Sequence, residues 1–282
     1  TNNLNWIDYL APKLGATSTT NYAFAGATTG TQNTTFPLFP GLQQQVSTFL
    51  FSSNQPTSED LFVLWAGSND YLATASQTNP EIPVSNLEGA VKALANAGAQ
   101  NILVANLEDL GKTPLVQGRS NAEQVSALVN QHNTLLASTL ITLDADPAFS
   151  NVNLISLDVF SLVNEAINQP GEFGFTNVSD PCLTNFSFSS LPTGLIRKCA
   201  NPEQYLFWDS LHPTDKAHQI LADTAFTTIE AATGAPDPVA NSVFSALQTD
   251  DAASVPEPGL STAIGLLGSS LVLARLLSKE PV

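Results

Sequence analysis

Two of the chain's three histidines fall in the stretch Asn201 to Asp223, NPEQYLFWDSLHPTDKAHQILAD. An aromatic strand, Tyr205 to Trp208, runs through Asp209-Ser210-Leu211-His212 into a helix. Pro213 biases His212 away from helical geometry, so the helix is expected just after it, with Thr214 as N-cap. Asp209 and His212 then share one tight turn, which can aim an acid at an imidazole. That pairing is the base-and-orienter half of a Ser-His-Asp triad. The plainer alternative is that Asp209 caps the turn and His212 is a buried polar residue. A metal reading also exists, because Asp209, His212, Asp215 and His218 recur every third residue. Steps of three drift around a helix, and Pro213 removes His212 from it, so the four cannot share one face.

Two other stretches could do chemistry. Asn21 to Gly30 reads as a short strand, Asn21 to Ala25, entering a Gly-rich turn, where Gly26 lets a backbone N–H approach a ligand. An ordinary strand-end glycine is the competing reading. The apolar run Leu61 to Ala66 ends in Gly67-Ser68-Asn69-Asp70. It reads as a strand buried on both faces, and Asn69 at its end lies where α/β proteins place ligands. Its amide could donate to an oxyanion, or it could be a turn asparagine.

The elements that must position these residues alternate along the chain. Helices are expected over Asn5 to Leu14, stopped by Gly15, and over Gly41 to Phe51. Ser85-Asn86-Leu87-Glu88 and Ser120-Asn121-Ala122-Glu123 are capping-box patterns that predict helices to Ala97 and about Leu143. His132 falls on the apolar side of the second and reads as structural. Asn101 to Leu107 and Val152 to Leu157 are further buried strands, with a helix over Asp158 to Ile167. A helix to about Ala232 follows His212. Gln169 to Asn201 is a long broken loop whose Phe173, Phe175, Phe186 and Phe188 suit an apolar substrate wall or a mini-core. This alternation predicts a parallel sheet with helices on both faces.

Composition bounds the function. The 282 residues carry 43% hydrophobic and 12% charged residues, with 9 basic against 25 acidic. A net charge of −16 disfavours nucleic acid and anionic lipid surfaces. Cys182 and Cys199 are expected to pair if the protein is exported. The chain holds no Met, as expected of a processed chain or a fragment.

Residues 233–254 are rich in Pro, Ala, Asp and Ser and read as a linker. Val255-Pro256-Glu257-Pro258 follows, then an uncharged stretch from Gly259 to Ala274, then Arg275 and Lys279. As a helix that stretch spans about 24 Å, short of a hydrocarbon core of roughly 30 Å. With Leu276 and Leu277 included and Arg275 snorkelling, it could just span. The order resembles the bacterial PEP-CTERM sorting signal. The resemblance implies export, an anchoring hydrophobic helix in the membrane, and removal by a sorting protease.

Asn21 to Gly30, Gly67-Ser68-Asn69-Asp70 and Asp209-Ser210-Leu211-His212-Pro213 together resemble blocks of the GDSL/SGNH serine esterases and lipases, over about Asn5 to Ala232. The resemblance implies a three-layer α/β/α, flavodoxin-like fold over residues 1–232. It implies that Asp209 and His212 are acid and base, that the Gly26 N–H and the Asn69 side chain form an oxyanion hole, and that neither metal nor cofactor is needed. The family's first block, a strand ending in Gly-Asp-Ser, is absent from the chain. Its strand and its nucleophilic serine are expected upstream of Thr1, and neither Ser68 nor Ser210 is assigned that role. The resemblance implies hydrolysis of an ester or lipid. A carbohydrate O-acetyl esterase, or a non-catalytic exported surface or binding protein, are the alternatives.

Overall fold

The structure is a computed structural model that describes residues 1–52, 55–74, 79–185, 195–234 and 274–277. Helix α1 (Trp6–Lys13) opens with a reciprocal cap. Asn5 Oδ1 accepts the Ile7 N–H at 2.9 Å, and Asp8 Oδ2 accepts the Asn5 N–H at 3.0 Å. Its apolar stripe of Trp6, Ile7 and Leu10 is fully buried. Gly15 ends it in the left-handed conformation, at φ +66°.

Strand β1 is Ser18–Asn21, earlier than the expected Asn21 to Ala25. Asn21 Oδ1 accepts the Ala23 N–H at 2.8 Å, a side-chain turn that stops the strand. The apolar residues after it pack as aromatic pairs instead, Tyr22 with Phe49 and Phe24 with Phe39. Helix α2 (Leu42–Phe51), strand β2 (Asp60–Leu64) and the short helix α3 (Ser68–Thr74) follow. Helix α4 (Glu81–Asn96) starts a turn before the expected Ser85. Pro83 is tolerated in its first turn, where its missing N–H has no helical partner anyway.

Strand β3 (Asn101–Ala105), helix α5 (Ala122–Asp144), strand β4 (Asn153–Leu157) and helix α6 (Val159–Asn168) complete the central part. The capping box expected at Ser120 does not form: Asn121 is the N-cap of α5, and its side chain makes no capping bond. Strands β2, β3 and β4 are parallel neighbours. Their side chains alternate between two cores. Leu61, Val63, Leu103, Ala105, Ile155 and Leu157 face the core under α1. Phe62, Leu64, Ile102 and Val104 face the core under α2 and α4. The result is the expected three-layer α/β arrangement.

The region after α6 forms two small sheets. Strand β5 (Asn177–Pro181) pairs with β8 (Tyr205–Phe207), and β6 (Leu183–Thr184) with β7 (Arg197–Lys198). Cys182 and Cys199 are joined beside this second pair, with Cα atoms 4.8 Å apart. Reducing the bond is expected to destabilise the fold by about 3 kcal/mol through loop entropy. Urea titrations of oxidised and reduced, alkylated protein measure this, and coincident midpoints would contradict it. Phe175 packs with Leu206 and Phe207 in a small cluster, while Phe186 and Phe188 lie outside the described residues.

Helix α7 (Asp215–Thr233) begins as expected, with Thr214 Oγ1 accepting the Ala217 N–H at 3.4 Å. The linker and residues 259–273 of the expected apolar helix lie outside the described residues. Residues Ala274–Leu277 form a strand, β9, rather than the end of that helix. It lies between β1 and β2, antiparallel to both. Both neighbours present unpaired backbone groups there, and a strand in the gap satisfies them on two sides. The sheet order is therefore β1-β9-β2-β3-β4.

Candidate active site

The Asp209–His212 turn is clamped at its base by the backbone. Trp208 N–H donates to His212 O at 2.7 Å, and Thr214 N–H to Leu206 O at 3.0 Å. The Thr214 hydroxyl donates to Tyr205 O at 2.7 Å. Within the loop, Asp209 Oδ1 accepts the N–H groups of Leu211 and His212 at 2.9 and 2.8 Å. Asp209 Oδ2 lies 2.7 Å from His212 Nδ1. Asp209 thus caps the turn with one oxygen and orients the imidazole with the other.

Asp209 is 5% exposed and His212 8%. Burial alone pushes the Asp209 carboxyl up. The His212 hydrogen bond and charge, with the two backbone N–H groups, outweigh burial and hold it below the usual Asp value. Asp209 therefore stays ionised. With Nδ1 turned to the carboxylate, Nε2 points the other way.

The turn docks where the sheet's strands end. Leu115 N–H, in the loop after β3, donates to Ser210 O at 2.6 Å. Leu211 and Pro213 border a cleft that also touches Trp65 after β2, Glu108 after β3 and Val159 after β4. Asn69 follows β2 at the same carboxyl ends.

Gly26 sits in a buried turn at φ +80°, and a Cβ there would lie 2.4 Å from Thr35 Oγ1 and 2.6 Å from Asn33 Oδ1. Asn33, 6% exposed, pins that turn: its Nδ2 donates to Ala25 O at 2.7 Å, and its Oδ1 accepts from Thr35 and Phe36 N–H. Asn69 Nδ2 donates to Ala27 O at 2.9 Å. Asp70 accepts the Thr29 N–H at 2.9 Å and the Thr29 hydroxyl at 2.8 Å. The start of α3 therefore grips the Gly26 loop with two consecutive side chains. Burial raises the Asp70 carboxyl above its ordinary value, against the Thr29 hydrogen bonds.

Sequence reasoning did not single out Asn33 or the grip by Asp70. The i+2 and i+3 spacing from Asn33 to Thr35 and Phe36, an Asx-turn pattern, could have flagged the first. Ser68 is 9% exposed at the start of α3, and Ser210 is partly buried in the turn.

The two remaining histidines are buried. His132 Nδ1 lies 2.9 Å from the Tyr71 hydroxyl, and burial lowers the His132 pKa to about 4. His218, 1% exposed one turn beyond the site, has no hydrogen-bond partner for either ring nitrogen among the described residues. Burial, chiefly, lowers its pKa to about 3. The folded state keeps both neutral, whereas the unfolded chain takes up protons near pH 6.5. Stability is therefore full above pH 6.5 and falls as pH drops towards 4, by roughly 3 kcal/mol from His132 alone. Urea unfolding at pH 7 and pH 5 checks this. The midpoint is expected to fall, and to fall less in His218→Leu. A midpoint independent of pH would contradict it.

Comparison with known proteins identifies the family. The family model of GDSL-like lipases and acylhydrolases matches residues 2–225. A thermolabile hemolysin of Vibrio parahaemolyticus is 29% identical, covering 79% of this chain and 54% of the hemolysin. A GDSL esterase/lipase of Arabidopsis thaliana is 28% identical, over 57% of this chain and 49% of the plant protein. A phosphatidylcholine-sterol acyltransferase of Aeromonas hydrophila is 26% identical, over 80% and 78% of the two chains. The chain spans about half the length of the first two. It belongs to the family of GDSL-like lipases and acylhydrolases.

Proposed function

We propose that this protein hydrolyses carboxylic esters by a Ser-His-Asp mechanism in which Asp209 and His212 are the acid and base. The observation that carries the reading is the 2.7 Å contact between Asp209 Oδ2 and His212 Nδ1 on a clamped turn beside the strand ends. A serine hydroxyl attacks the ester carbonyl, and His212 Nε2 takes its proton. The proton passes to the leaving alcohol as the acyl-enzyme forms. Water then repeats the cycle, releasing the acid and restoring the serine. Asp209 stabilises the imidazolium. The Gly26 N–H and the Asn69 amide are the donors we assign to the tetrahedral oxyanion. The bond from Asn69 Nδ2 to Ala27 O fixes the plane of the amide beside the Gly26 loop.

The order of the sheet supports a place for the serine. In the doubly wound order 2-1-3-4-5, ligands bind at the switch point beside strand 1. Here β1, β2, β3 and β4 take positions 2, 3, 4 and 5, and antiparallel β9 holds position 1. We assign that slot to a parallel strand ending in Gly-Asp-Ser, supplied from ahead of Thr1 and taking the place of β9. The family's description as lipases and the name of the phosphatidylcholine-sterol acyltransferase support a lipid ester as substrate. The tail from Val255 to Lys279 is proposed as a sorting signal that engages the membrane and a sorting protease during export. Among the described residues no helix is long and apolar enough to cross a membrane.

Turnover of a p-nitrophenyl ester tests the reading. Hydrolysis is expected when the upstream strand is present and not from residues 1–282 alone. Turnover by the shorter chain that disappears in His212→Ala would overturn the assignment of the serine.

A further inference from the structure

The cleft beside the His212 turn is walled by aliphatic side chains of α6, β8 and α7, including Leu162, Val163, Leu206 and Ile220. Two of its lining residues break the apolar pattern. Trp65 is 5% exposed, and its indole Nε1 is buried without a hydrogen-bond partner among the described residues. Glu108 keeps part of its surface in solvent, yet its carboxyl Oε2 is buried and also without a partner among the described residues. An orphaned buried polar atom is costly, by about as much as a lost hydrogen bond, and folded proteins leave few of them. Trp65 and Glu108 line one apolar cleft, the one with an unmatched donor and the other with an unmatched oxygen among the described residues.

We propose that Trp65 and Glu108 form a subsite for a short aliphatic group carrying a hydroxyl, which accepts from the Trp65 N–H and donates to the Glu108 carboxyl. A hydroxyl can do both at once, whereas an ether or carbonyl can only accept. The free volume of the cleft is about 50 Å³, several times the roughly 10–15 Å³ that one water needs. That suits a short chain rather than a long acyl tail. Burial pushes the Glu108 carboxyl above the usual Glu value, against a backbone hydrogen bond and the charge of His212, while Asp109 pushes the same way as burial. The same His212 interaction places Glu108 within electrostatic reach of the catalytic turn. The subsite rests on the hydrolase reading only for its purpose, which is to hold the alcohol half of an ester.

Binding is read without turnover, so failure here leaves the hydrolase reading intact, and an inactive protein can still bind. The probes are n-butanol, methyl propyl ether and n-pentane, equal in heavy atoms and differing in hydrogen bonding. Ligand-observed NMR on the full chain is expected to rank butanol above the ether and the ether above pentane. Glu108→Leu is expected to cost butanol about tenfold, the weight of one net hydrogen bond, and to leave pentane unaffected. Glu108→Gln should keep most of the preference, which separates lost chemistry from lost folding. Trp65→Phe should remove the advantage of the ether over pentane. Equal affinity for the three probes, a preference unchanged by Glu108→Leu, or a crystal structure with butanol present showing only water between the two side chains would overturn the proposal.

Discussion

Replacing His212 with alanine is expected to lower kcat/KM for a p-nitrophenyl ester by about 10⁴-fold in a chain that carries the serine strand. Without the imidazole, the serine proton has no acceptor and the leaving alcohol no donor. Asp209→Asn should cost a similar factor for a different reason. An amide at that position can donate to Nδ1 and so favour the wrong tautomer. The Asp209 carboxylate also accepts two turn N–H groups, so the Asn variant isolates tautomer control better than Ala, which would open the turn. The acid limb follows from the same pair. The folded Asp209 pKa lies below its ordinary value, so its stabilising contribution is present above the unfolded pKa near 4 and is lost as pH falls through the folded one. Rates in His212→Ala within tenfold of the parent would remove His212 from the chemistry.

The second large effect is expected at Asn69. Asn69→Ala should lower kcat by about 10²–10³ with KM little changed, because the oxyanion exists only on the way through the transition state. The structure adds a second consequence. Asn69 also holds Ala27 O, so the Ala variant should loosen the Gly26 loop and lower Tm by a few degrees. A kcat within twofold of the parent, with the Tm shift present, would leave Asn69 as a loop anchor only.

Much of this architecture was legible because it is local. Asp209 and His212 are three residues apart, and Pro213 with the Thr214 cap sets where the helix begins, so the sequence spacing carries the geometry. The buried runs of β2 and β3 are apolar on both faces, as a sheet between two helical layers requires. What failed was equally physical. The residues Tyr22 to Ala25 look strand-like, yet Asn21 closes a side-chain turn before them. The Ser85-Asn86-Leu87-Glu88 pattern suggested a later helix start, yet the helix begins at Glu81 because Pro83 is accommodated in a first turn. Of the expected tail helix only Ala274–Leu277 are described, and there the open slot between β1 and β2 gives them two strand partners. Trp65, Glu108 and His218 were invisible as polar orphans, because tertiary packing decides whether a side-chain nitrogen or oxygen finds a partner.

The proposed chemistry depends most directly on which serine His212 serves. A fluorophosphonate reacts with an activated serine and stays attached, so peptide mass spectrometry of the labelled protein, expressed with its upstream sequence, identifies the nucleophile. The predicted result is one labelled serine ahead of Thr1, in a Gly-Asp-Ser context, with labelling abolished by His212→Ala. Label on a serine within residues 1–282, Ser68 or Ser210 included, or labelling indifferent to His212, would contradict it.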